Sequence, residues 1–155
     1  MNLKPAKLYL SLIIILLGSV APLTGQSDNW VGSWSCAPYA AGSRNTPPAP
    51  YLAHNTLRQV VRVSIGGDTL RMKFSNKTSS TPVAMNRVSI ALSTGGSAID
   101  PSTVTELQFD GITSVTMDAY ASVTSDPVAF PLTPGMHLAI SIHYGEVASS
   151  EDITS

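Results

Sequence analysis

Cysteine is nearly missing from this sequence: Cys36 is the single one in 155 residues. That excludes a disulfide framework within one chain and any zinc site built from several thiolates. Charge is scarce as well, at 12% of residues, against about 25% in an average domain. With 43% hydrophobic residues, the bulk of the chain is not a solvated disordered tail. The formal net charge of -1 argues against a whole-surface nucleic-acid binder, so no nucleic-acid partner is expected. No G-x-S-x-G, P-loop, H-E-x-x-H or EF-hand pattern occurs. What the chain does have is 11 Gly and 11 Pro among many Ser and Thr. That composition favours turns and strands over long helices, in a length that fits one domain.

The first segment reads as an address. Lys4 and Lys7 form a basic start, Leu8 to Leu17 is almost wholly apolar, and Gly18, Ser19, Ala21, Pro22 and Gly25 follow. This is the pattern of a secretory signal peptide over residues 1–26. The apolar core is short for a bilayer span, which needs about 20 residues, so no stable membrane anchor is expected after cleavage. Removing the signal takes Lys4 and Lys7 with it and leaves 7 bases against 10 acids, a net charge of -3. The remaining bases all lie between Arg44 and Arg87, and eight acids follow Val88. Interleaved strands need not turn that asymmetry into two opposite faces.

The body alternates with period two. Trp30, Gly32 and Trp34 share one parity and are expected on one strand face, packing more plausibly than stacking on a ligand. Cys36 is expected as a small buried hydrophobe. Residues 40–50 form a Pro-rich loop. Leu57, Val61, Val63 and Ile65 alternate with Arg58, Arg62 and Ser64. Gly66-Gly67-Asp68 then marks a turn, and Leu70, Met72 and Phe74 oppose Arg71 and Lys73. This predicts a β-hairpin with one buried and one basic face. Val88–Leu92, Leu107–Phe109, Val115–Met117, Ala121–Thr124 and Val128–Phe130 are further short candidates. Leu138, Ile140, Ile142 and Tyr144 oppose His137, Ser141 and His143 in the last one. Eight or nine short strands with frequent turn signals imply an all-β fold, a β-sandwich or jelly-roll-like domain over 27–145, preceded by the signal peptide helix. Residues 146–155 read as the start of a linker.

No complete chemistry emerges from the residues. His54 precedes a strand, and His137 and His143 lie six positions apart on a solvent parity, roughly 20 Å along a strand, too far to share a metal. Asp100, Asp110 and Asp126 sit at turn signals, where Asp serves backbone geometry. Asn76-Lys77-Thr78 fits the N-glycosylation pattern, with chance as the plainer reading. Gly67-Asp68-Thr69-Leu70 imitates a Gly-Asp-Ser-Leu nucleophile block, but at a hairpin tip rather than a strand-to-helix turn. Catalytic, cofactor-binding and metal residues are therefore none, and no cofactor is expected.

Several segments in order resemble the beginning of secreted GDSL-type, or SGNH, hydrolases. The opening Trp30-Val31-Gly32-Ser33-Trp34-Ser35-Cys36-Ala37-Pro38 is similar to the start of their mature chains. The most specific match is Thr56 through Asp68, continued by Leu70-Arg71-Met72-Lys73-Phe74-Ser75-Asn76. Weaker echoes are Val88–Leu92, Gly96–Ile99 with Pro101, Ser125–Val128 and Leu138–Ile142. The resemblance implies an N-terminal, non-catalytic β-rich domain of an esterase or acylhydrolase, often acting on acylated carbohydrate. It also implies a catalytic domain as the C-terminal partner, carrying a Gly-Asp-Ser block and an Asp-x-x-His block. This chain stops before either block, so it is expected to be inactive alone and secreted or periplasmic. The alternative is a stand-alone secreted carbohydrate-binding or adhesive module, with Trp30, Trp34, Tyr39 and Tyr51 stacking on sugar rings.

Overall fold

A computed structural model describes residues 29–40, 47–48 and 51–147. The expected signal peptide, most of the Pro-rich loop and most of the expected linker lie outside those residues. The chain divides into a unit of Met1–Val31 and a unit of Gly32–Ser155. In the first, Asn29–Val31 have no regular structure, and Trp30 is half-buried.

The second unit is all-β, with antiparallel strands throughout and no α-helix among the described residues. Its centre is a long strand pair, β4 (Val83–Gly95) and β10 (His137–Val147), flanked by β1 (Thr56–Arg62) on the free side of β10. The far edge of β4 is shared by three short strands. These are β7 (Val115–Met117) at Val83–Met85, β6 (Thr105–Glu106) at Ser89–Ile90, and β5 (Ala98–Ile99) at Ser93–Gly95. Two ribbons complete the sandwich-like fold: β2 (Gly67–Leu70) with β9 (Val128–Leu132), and β3 (Lys73–Ser75) with β8 (Ser122–Thr124).

Register explains the burial. Across β1, β10 and β4, Val61, Leu138 and Leu92 form one row, and Leu57, Ile142 and Val88 another. Gln59, Ile140 and Ile90 form the row midway between them on the same face, and period two sends the alternate rows to the opposite face. The inner rows join Leu70, Phe130, Leu107, Phe109 and Met117 in one core, with Phe74 half-buried against it. The rings of Phe74 and Phe109 meet edge-on at 5.9 Å, an arrangement that aromatic quadrupoles favour.

The predicted hairpin does not form. β1 pairs with β10, β2 with β9 and β3 with β8, so three consecutive strands join three different partners. Gly66 is where the chain changes sheet: a Cβ there would stand 2.7 Å from the Leu132 carbonyl oxygen. The glycine therefore serves a close backbone approach, not a hairpin turn. The opening strand is also not seen, since 32–40 carry no strand. They are tied down through Ser33, whose carbonyl accepts from Ser64 N (3.1 Å) and whose hydroxyl donates to Ile65 O (3.1 Å). Cys36 is exposed rather than buried. β10 runs through Val147, so Glu146 and Val147 belong to the strand and not to a linker.

Asp100, Asp110 and Asp126 serve turn geometry, as expected. Asp110 and Gly111 both have positive φ, 52° and 79°, and reverse the chain between Phe109 and Ile112. The Asp126 carboxylate accepts from both turn amides, at 3.1 and 2.7 Å. Asp100 accepts from Ser102 N and Oγ at 2.9 and 2.7 Å ahead of a 3-10 turn at Pro101–Thr103. Those bonds hold its carboxyl below the usual value, the Ser102 hydroxyl contributing most.

Candidate functional site

The outer face of the central sheet gathers the polar side chains. Register aligns Arg58, Ser141, Ser89 and Glu106 across β1, β10, β4 and β6, and next to them Thr56, His143 and Arg87. Arg58 Nε donates to Ser141 Oγ at 2.8 Å and its Nη1 to the Ser97 carbonyl at 2.8 Å. His143 Nδ1 lies 3.1 Å from Thr56 Oγ1. Arg87 and Glu106 pair at 2.7 Å across two adjacent strands, both part-exposed. Beyond them Ala139 and Ala91 are buried, and Val60 is exposed.

The Ser141 and Thr56 hydroxyls of this face are hydrogen-bonded within the sheet, and no general base is bonded to Ser141 among the contacts described. An attacking hydroxyl needs a base within reach to take its proton. Ser141 Oγ instead accepts from a guanidinium, which can take none. His143 Nδ1 is within hydrogen-bond distance of Thr56 Oγ1. The other histidines stay apart: His54 Nε2 meets Glu146 Oε1 at 3.0 Å, with both side chains exposed, and His137 is an exposed residue opposite Arg62. Among the described residues no group of three or more His, Cys, Asp or Glu could hold a metal ion. No helix of the described residues is long and apolar enough to cross a membrane.

Two sequence motifs take structural roles. Asn76 is buried, and its Nδ2 donates to Thr81 O (2.8 Å) and Asp118 O (3.0 Å). The amide that glycosylation would modify is thus spent on joining two loops, and losing those bonds would strand two carbonyls. Thr69 of the Gly-Asp-Thr-Leu segment pairs with Ala129 inside β2, and a strand, not a helix, follows it.

Aromatic side chains form the other candidate surface. Trp34 is 48% exposed, Tyr39 65% and Tyr51 49%. Ser33 holds the segment bearing Trp34 beside Ile65, which is itself exposed. Tyr51 sits in a turn with positive φ, 65°, its N–H on Pro48 O. Packing is the expected role of Trp34, and about half of its surface remains exposed.

Sequence parity gives Ser141 and His143 a common face. It cannot align Arg58, Ser89, Arg87 and Glu106 with them, because that alignment is a property of register across four strands. No family model matches the chain, and no curated protein does.

Proposed function

We propose that this chain is the N-terminal, non-catalytic β-sandwich part of a secreted SGNH-type ester hydrolase, an acylhydrolase of acylated carbohydrate, whose catalytic domain follows it. One observation carries the reading. The segments that resemble that family fall on neighbouring strands: Thr56–Arg62 is β1, Leu138–Ile142 lies in β10 and Val88–Leu92 lies in β4. Residues that share ancestry in a fold are expected to concentrate where strands pair and bury side chains. The role is to pack on the hydrolase domain and to wall one side of its cleft. Consistent with a non-catalytic part, Ser141 Oγ accepts from Arg58 and Arg87 pairs with Glu106, so neither contact is a nucleophile–base pair.

The purified chain is expected to leave a nitrophenyl ester untouched above the buffer rate. Hydrolysis lost on Thr69→Val would contradict the non-catalytic role. A second reading, a carbohydrate-binding module, is favoured by the exposure of Trp34, Tyr39 and Tyr51. A glycan screen separates the two: retention of a glycan, lost in Trp34→Ala with the fold intact, supports the module.

A further inference from the structure

We infer that the free edge of β1 binds an extended acidic peptide segment of another polypeptide as an added strand. The inference stands on the backbone and does not depend on the hydrolase reading. At the far end of β1, Val63 exchanges bonds with the β10 side: Val63 N donates to Met136 O (2.9 Å) and Gly135 N to Val63 O (2.8 Å). At the near end, Tyr144 N donates to Asn55 O at 2.9 Å. In an antiparallel pair every second residue bonds its neighbour, so Leu57, Gln59 and Val61 turn their backbone groups to β10. Thr56, Arg58, Val60 and Arg62 turn theirs the other way. Ser64 follows the same parity, and its N–H does point outward, to Ser33 O at 3.1 Å. Ser33 thus fills the outward position of Ser64. Among the described residues no strand pairs with the remainder of that edge.

The side chains name the occupant. β1 carries Arg58 and Arg62 and no acid. Both arginines are exposed on the outer face with Val60 between them; Arg58 bonds Ser141 Oγ and Ser97 O, and Arg62 Nε bonds Gly135 O at 3.4 Å. A second copy is a poor occupant. Antiparallel pairing centred on Gln59 would set Arg58 opposite Val60 and gather four guanidiniums on one face with no acid. A segment with acids four positions apart and an apolar residue midway meets Arg58, Val60 and Arg62 in turn. Main-chain bonds supply affinity in this mode, and alternate side chains supply selection.

The test titrates the isotopically labelled chain with the capped peptide Ser-Glu-Thr-Val-Thr-Glu-Ser and with its Lys-for-Glu counterpart, followed by amide NMR. The Glu peptide is expected to bind saturably, about tenfold or more tighter than the Lys peptide, as complementary charge selects partners. The amides of Thr56, Arg58, Val60 and Arg62 are expected to move most. Val60→Pro removes one outward N–H and no bond to β10, so it should abolish binding while the melt is kept. Backbone N-methylation of the peptide removes the same bonds from the ligand side and should also abolish binding, whatever the fate of that variant. Equal binding of the two peptides, or of the N-methylated one, would overturn the inference. So would an acidic oligosaccharide that competes the peptide away and shifts Ser89 and Ser141 instead of the edge amides.

Discussion

The two faces of the central sheet come from the same three strands and share almost no chemistry. Inward, Val61 and Leu138, then Ile140 and Ile90, then Leu57, Ile142 and Val88 form apolar rows that join the core. Outward, Arg58, Ser141, Ser89 and Glu106 form a hydrogen-bonded row one residue away in each strand. The inner face carries stability because each side chain there leaves water. The outer row from Arg58 to Glu106 carries little, because its pairs exchange water for one another at nearly equal free energy, although Ala139 and Ala91 beside it are buried.

The comparison breaks most visibly in the core. Ile140→Ala, on the inner face, is expected to cost about 2–5 kcal/mol in urea denaturation, through lost burial and a residual cavity. An effect as small as that of an outer-face change would contradict the assignment of faces. Next comes Tyr144, which burial pushes up to about 12. Its unfolded-state value is 10.0, so the unfolded chain loses the phenolic proton first. Stability is then whole below about pH 10 and is lost between there and about pH 12, amounting to about 2–3 kcal/mol. Alkaline titration of the melt should show this loss, and Tyr144→Phe should remove it. Ser141→Ala on the outer face removes the acceptor of Arg58 Nε and is expected to cost about 1 kcal/mol. Smallest is Arg87→Gln, at less than about 0.5 kcal/mol, fading further in high salt because the pair with Glu106 is part-exposed.

Much of the inner face was readable beforehand, because alternation needs only one strand to be seen. Leu138, Ile140, Ile142 and Tyr144 share one parity in the sequence, and all are buried. Turn chemistry was equally local, as Asp110-Gly111 illustrates. Partners were not readable. The Gly66-Gly67-Asp68 signal suits a hairpin, yet Gly66 is needed for the approach of Leu132 O from a strand more than sixty residues away. The polar row is not legible in the sequence for the same reason, since Arg58, Ser141, Ser89 and Glu106 come from four separate strands. Trp30, Gly32 and Trp34 matched a strand by parity alone, but the segment bonds through Ser33 and leaves Trp34 in solvent. Cys36 follows it outward.

If these strands serve a hydrolase domain beyond them, as proposed, the coding sequence past the Ser155 codon holds an open frame with a Gly-Asp-Ser block early and an Asp-x-x-His block near its end, and sequencing it is the decisive measurement. A stop codon directly after Ser155 would contradict the proposal and shift the weight to a free-standing binding module.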